Sequence, residues 1–139
     1  MIKLQIIAVG RLKNQAVAEL LSEYKKRLSP FCRFDIIELK DEGLEKEAAK
    51  IEQYLDANCF ILDPQGTQMD SGQFSDFLKR RETIKFVIGG PEGIHASIKA
   101  KGKMLSLSKL TFPHELSRLL LIEQIYRAFM IIHKRKYPK

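Results

Sequence analysis

Residues 85–93, KFVIGGPEG, constrain this chain more than any other stretch. Phe86, Val87 and Ile88 form a short, continuously apolar run, the pattern of a strand covered on both faces in a parallel sheet. Two glycines, a proline, an acid and a third glycine follow at once. Gly89, Gly90 and Gly93 open backbone conformations closed to other residues, and Pro91 fixes φ while donating no N–H. Such a strand leaves the sheet along a path lined by bare peptide groups. In open α/β sheets, ligands bind in the crevice just beyond the carboxyl ends of the strands.

The rest of the chain supplies the sheet. Residues 4–9 (LQIIAV), 34–39 (FDIIEL), 59–63 (CFILD) and 104–107 (MLSL) read as further strands. Between them, Val17, Leu20, Leu21, Tyr24 and Leu28 recur at helical spacing behind Asn14, a predicted N-cap, and Leu44, Ala48, Ile51 and Leu55 form a second helical stripe. Asp70 and Gln73 have the spacing of a capping box opening a third helix. Residues 94–100 suit a short fourth helix ended by Gly102, and the last helix runs from about Pro113 to about His133. This alternation predicts one α/β domain over residues 1–139, a doubly wound parallel sheet of five to six strands with helices on both faces. Its connectivity is open; the rule against threaded chains favours an ordinary right-handed winding.

Composition narrows the function class. No run is long enough to span a membrane, and the opening MIKLQIIAVGRLK is too short and strand-like for a signal peptide, so a cytoplasmic protein without a membrane partner is expected. Cys32 and Cys59 lie far apart with no CxxC and no histidine at ligand spacing, which suggests neither a metal nor a disulfide framework. The net charge of +7 fits either a polyanionic partner or a merely soluble surface.

In the last helix Leu119, Leu120, Leu121 and Ile122 are consecutive, and at about 100° per residue they cover most of its circumference. One sheet cannot bury them all, and Ile125, Phe129, Met130, Ile131 and Ile132 extend the excess. A homodimer packed through this helix is the direct expectation. Arg118 and Arg127 interrupt the apolar run and either pair with acids or point into a site.

The first turn, Gly10-Arg11-Leu12-Lys13, has no GxGxxG, and no GxxxxGK occurs, so the commonest nucleotide sites are excluded. Three strand exits remain: LDPQG, IGGPEG and LSKLTFP. Together they can surround one flat, neutral heterocycle, holding it through backbone N–H and C=O groups.

LDPQG, FVIGGPEG and LSLSKLTFPHELSRLLLIEQIYRAF, with the opening KLQIIAVG, resemble in order and spacing the motifs of the SPOUT methyltransferases. The likeness is greatest to the subfamily that methylates N3 of a pseudouridine in 23S ribosomal RNA. It covers the whole chain and implies an α/β fold whose C-terminal part threads a trefoil knot, overriding the unthreaded winding. It also implies an obligate homodimer, an RNA or ribosome partner, and S-adenosylmethionine held in the knot without a metal. By position, the cofactor contacts fall at Leu62, Gly89, Leu107, Ser108, Lys109, Leu110, Thr111 and Phe112. A Cβ at Gly89 is expected to intrude on the ligand. Glu92, His114, Arg118, Arg127 and Tyr137 are the candidates to orient the base or stabilise its deprotonated form. Structural roles stand beside these: Glu92 as a helix cap, His114 in a first turn, and the arginines as dimer salt bridges. The tail departs from the family, whose tyrosine is followed by histidine; here Pro138 follows Tyr137, so no role of that histidine transfers. The basic tail, Lys134, Arg135, Lys136 and Lys139, reads beside an RNA site as a phosphate-gripping arm. A non-catalytic RNA- or ribosome-binding knot protein and a tRNA methyltransferase of the same fold are the alternatives.

Overall fold

Alternation along β1 (Ile2–Val9) shows how one strand serves two layers. Leu4, Ile6 and Ala8 enter one buried cluster, while Ile7 and Val9 enter a second on the other side. The computed structural model describes residues 1–138; Lys139 of the predicted basic arm lies outside the described residues. The other strands are β2 (Cys32–Leu39), β3 (Cys59–Gln68), β4 (Thr83–Ile88) and β5 (Lys103–Ser106). All pair in parallel in the order β2-β1-β4-β3-β5. The expectation of a parallel α/β sheet holds, with five strands.

Helices α1 (Gln15–Leu28), α3 (Ser71–Lys79) and α5 (His114–Ile132) cover one face; α2 (Leu44–Glu52) and α4 (Ala96–Lys101) cover the other. Connections β1–β2 and β3–β4 run one way across the sheet, and β2–β3 and β4–β5 run the other, so right-handed crossovers require their helices on opposite faces. Local chemistry sets the helix starts. Asn14 Oδ1 accepts the Val17 N–H at 3.1 Å. Asp70 Oδ1 accepts the Gln73 N–H at 2.7 Å while Gln73 Oε1 accepts the Asp70 N–H at 2.9 Å, the expected reciprocal box.

Several boundaries differ from the sequence reading: β1 begins at Ile2, α2 ends at Glu52 and leaves Leu55 outside it, and β5 spans Lys103–Ser106. β2 begins at Cys32, and α4 begins at Ala96, capped by His95 Nδ1 accepting the Ser97 N–H, so Glu92 is not its cap. β3 does not stop at Asp63. Leu62 and Thr67 both stand opposite Leu105, and residues 63–66 arch over the end of β5 between them. Gly66 lies so close to β5 that a Cβ there would sit 2.6 Å from the Leu105 nitrogen.

Helix α5 lies between α1 and α3. Leu121, Ile122 and Ile125 are fully buried, but Leu116, Leu120 and Ile131 remain 42%, 39% and 43% exposed. At 100° per residue these three fall on one stripe, the side of α5 that the chain's own sheet cannot reach.

Candidate active site

The exit from β4 is a tight fold-back. The Gly93 N–H donates to the Gly90 carbonyl at 2.9 Å, and Gly93 itself adopts φ +81°, a left-handed conformation that disfavours a side chain. A Cβ on Gly89 would lie 2.5 Å from the Gly93 carbonyl oxygen. Glycine is therefore required at 89 by the loop's own backbone, independently of any ligand. The exit from β5 is pinned by its serines. Ser106 Oγ donates to the Ser108 carbonyl at 2.9 Å, and Ser108 Oγ accepts the Leu110 N–H at 3.1 Å.

These two exits and the arch after β3 enclose a cavity of about 650 Å³. Leu62, Gly89, Leu107, Ser108, Leu110, Thr111 and Phe112 all line it, whereas Lys109 is exposed and does not. Glu92 and His114 stand on the same wall. Asp63, which the sequence reading treated only as a strand end, lines it too. Its Oδ2 meets Lys99 Nζ at 2.8 Å and its Oδ1 accepts the Gln65 N–H at 2.9 Å. Burial acts to raise this carboxyl, but the Lys99 ammonium and the Gln65 N–H outweigh it and hold Asp63 below its ordinary value. Lys99 was legible only as one more basic residue on a short helix; its position one turn from His95 aims it back at the arch.

The remaining candidates lie elsewhere. Arg118 is 1% exposed, yet it does not line the cavity. Its Nη1 donates to Glu38 Oε2 at 2.6 Å and its Nη2 to the Gly10 carbonyl at 3.1 Å, which braces the ends of β1 and β2. Glu115 secures the same turn from the other side, its Oε1 accepting the Lys13 and Asn14 N–H groups at 2.9 and 3.0 Å. Those bonds, the Asn14 amide foremost, hold the Glu115 carboxyl below its usual range. Arg127 pairs with Glu123 within its own helix at 3.0 Å and lies 4.7 Å from the Tyr137 ring centroid. Tyr137 donates to Glu123 at 3.0 Å and meets Tyr24 Oη at 3.2 Å. Burial, then the Tyr24 and Glu123 bonds, push its phenol above the ordinary range, so it stays a donor. At 1.5 Å per residue, Arg127 lies about 20 Å down the helix axis from His114. Arg118 and Arg127 are thus engaged within the chain.

Two other chemistries find no support among the described residues. Burial pushes both the Cys32 and Cys59 thiols up to about 11, which removes thiolate character near neutral pH. No three His, Cys, Asp or Glu side chains cluster where a metal could sit, and no helix is long and apolar enough to cross a membrane.

Known proteins match this arrangement along its length. The profile of the family described as "Predicted SPOUT methyltransferase" matches residues 2–138. A protein of Caldicellulosiruptor saccharolyticus named "Ribosomal RNA large subunit methyltransferase H" is 41% identical over 98% of this chain and 99% of its own length. Proteins of the same name from Clostridium kluyveri (41% identity, 96% of this chain and 98% of that protein) and Streptococcus pyogenes serotype M12 (40%, 99% and 99%) match similarly. Among solved structures, the tRNA (m1G37) methyltransferase from Aquifex aeolicus superposes with a TM-score of 0.56 at 16% identity, covering 99% of this chain and 75% of that one, a likeness of fold. With the peptide-lined crevice at three strand exits and a family profile spanning both layers of the sheet, the chain belongs to the SPOUT methyltransferase family.

Proposed function

We propose that this protein transfers the methyl group of S-adenosylmethionine to N3 of a pseudouridine in 23S ribosomal RNA. It acts in the cytoplasm on the assembled ribosome, as a homodimer of single-domain chains. The observation that carries this reading is the cavity at the three exits, in a chain about 40% identical to proteins named for methylating large-subunit ribosomal RNA.

The residues present fit the cofactor. A cavity of about 650 Å³ is in the size range of small-molecule sites. Leu62, Leu107, Leu110 and Phe112 offer apolar walls to a flat ring, and the peptide groups of Gly89 to Gly93 offer neutral donors and acceptors to its edge. Leu110, 70% exposed, is a large apolar side chain with nothing of its own chain over it, as a wall facing a ligand would be. Once bound, S-adenosylmethionine supplies a methyl group already activated by the positive sulfur.

The chain's own tasks are then alignment and charge. N3 must approach in line with the methyl group and shed its imide proton. Glu92 and His114, on the cavity wall, are the titratable groups placed to accept that proton or hold the base. Arg118 acts through the β1–α1 turn, which packs beside His114: a Cβ on Gly10 would lie 3.8 Å from His114 Nε2. Arg127 and Tyr137 reach a cavity only from a second copy. The exposed stripe Leu116, Leu120, Ile131 is the surface through which that copy packs. The arch of residues 63–66 over β5 supports a threaded chain, with the segment after β5 passing beneath it.

Incubation with labelled S-adenosylmethionine and undermethylated ribosomes tests the reading. Label is expected at one pseudouridine of 23S RNA. Label in free tRNA alone, or ribosome binding with no label at all, overturns it.

A further inference from the structure

The positive charge of this chain is segregated by the sheet. The loops that carry the cavity edge, residues 11–14, 38–47, 63–70, 89–95 and 107–115, hold nine acids and five bases. The opposite edge is reversed. There KKRLSPFCR (25–33), KRRE (79–82), KGK (101–103) and KRK (134–136) hold twelve of the 24 cationic residues against Glu82, and the end of α2 and its connection to β3 at the same edge add two acids, Glu52 and Asp56, which pair with Lys101 and Lys85. A purely solubilising surface would not sort its charge by the direction of the strands.

The topology explains how four distant segments meet. Every crossover helix returns from a strand's end to the next strand's start, so α1, α3 and α4 deliver their C-termini to the edge where β2, β4 and β5 begin. Helix α5 runs the same way. Phe31, just before β2, lies 5.0 Å from the His133 ring, and the Arg135 guanidinium lies 5.2 Å from the Phe31 ring. Cations at helix C-termini complement the macrodipole, and one per helix would need no other reason. Arg33 and Lys103 lie on strands, however, where no such dipole exists. Most of these cations have no acidic partner among the described residues: Arg27 pairs with Glu23 and Lys101 with Glu52, but Lys25, Lys26, Lys79 and Arg80 pair with none. The edge is also concave. A groove of about 810 Å³ opens beside α3, the end of β3 and the start of β4, lined by Arg80 and Arg81 and also by Asp76 and Glu82, with Arg81 lying 4.6 Å from the Phe60 centroid and 4.3 Å from that of Phe77.

We infer that this basic edge is a second RNA-contact surface, distinct from the cavity, that grips the phosphate backbone of a ribosomal RNA helix while the cavity edge takes the target base. The inference rests on the ribosomal reading above and adds where the affinity resides. Unpaired lysines and arginines spread along an edge neutralise phosphates and release counterions, which gives affinity without sequence information. The cavity edge, with its excess of acids, cannot supply that term.

The test compares two charge reversals of equal size. Lys25→Glu with Lys79→Glu alters the basic edge; Lys40→Glu with Lys46→Glu alters the cavity edge. Binding to ribosomal large subunits is measured from low to moderate salt, with S-adenosylmethionine affinity and melting temperature as folding checks. The basic-edge variant is expected to lose tenfold or more in affinity, with the slope of log K against log salt reduced by about two, one unit per lost phosphate contact. The cavity-edge variant is expected to change less than threefold. Equal losses in both variants, or an unaltered slope in the basic-edge one, overturn the inference while leaving the methylation reading intact. Tighter binding of the wild-type protein to phosphatidylserine vesicles than to large subunits would make the edge a membrane surface and overturn it too. Wild-type protein that binds large subunits with a steep salt slope but methylates no ribosomal RNA refutes the function and spares the edge.

Discussion

Removing the acid from the buried Arg118 brace is expected to do more damage than removing the arginine. Arg118 is 1% exposed, its Nε has no partner, and its two other nitrogens hold Glu38 Oε2 and the Gly10 carbonyl. Glu38→Ala leaves a buried guanidinium with one neutral acceptor, and stripping a buried charge of its counterion costs about 3–5 kcal/mol. The Glu38 side chain is 39% exposed, so water reaches the vacated position and the lower end, about 3 kcal/mol, applies. Arg118→Met removes the charge itself. It leaves Glu38 free to be solvated and strands only the Gly10 carbonyl, at about 1–3 kcal/mol. The double variant should therefore be no worse than Arg118→Met, giving a coupling equal to the whole Glu38→Ala loss, about 3 kcal/mol. Urea unfolding followed by circular dichroism reads this directly, because a slope of about 1–3 kcal/mol per molar turns these losses into shifts of roughly 1 M or more. Arg118→Met falling below Glu38→Ala, or losses that simply add, would refute a brace built on a desolvated charge.

Three further outcomes follow from particular contacts. Gly66→Val puts a Cβ 2.6 Å from the β5 backbone and should lower stability by 2 kcal/mol or more in the same urea assay, given the roughly 1–3 kcal/mol typical of overpacking and a neighbour that is backbone. Asp63 is held below its ordinary value in the folded state, so its contribution is present above the unfolded value of about 4 and lost as pH falls through the folded one. Asp63→Asn should accordingly destabilise at pH 7 and flatten the stability profile on the acid side. Lys134 ends α5 at φ +53°, with the Arg135 N–H reaching the Met130 carbonyl at 2.8 Å, a Schellman closure that glycine makes without strain. Lys134→Gly should raise the melting temperature, at about 0.5–1 kcal/mol.

What the sequence made legible is what short-range chemistry decides. Asn14 and the Asp70–Gln73 box bond within three residues, so their partners were in view. The strand exits were legible because apolar runs ending in glycine or proline have few other readings, and seven of the eight expected cofactor contacts meet in one cavity. The misses are tertiary. Pro64 and Gly66 are turn residues by local rule, and only pairing with β5 makes Thr67 and Gln68 a strand. That Arg118 needs an acid was deducible; that the acid is Glu38, 80 residues away, was not. Arg127 follows the cavity residues closely in sequence yet lies about 20 Å from His114 along α5, because a helix converts sequence neighbours into distance.

The central claim is that the bends after β3, β4 and β5 form the methyl-donor site, and calorimetric titration with S-adenosylmethionine tests it most directly. Wild-type protein should bind saturably, and Gly89→Val, whose side chain would collide with the Gly93 carbonyl, should lose that binding while still melting cooperatively. No heat from the folded wild-type protein at millimolar donor, or undiminished affinity in the well-folded variant, would contradict the assignment.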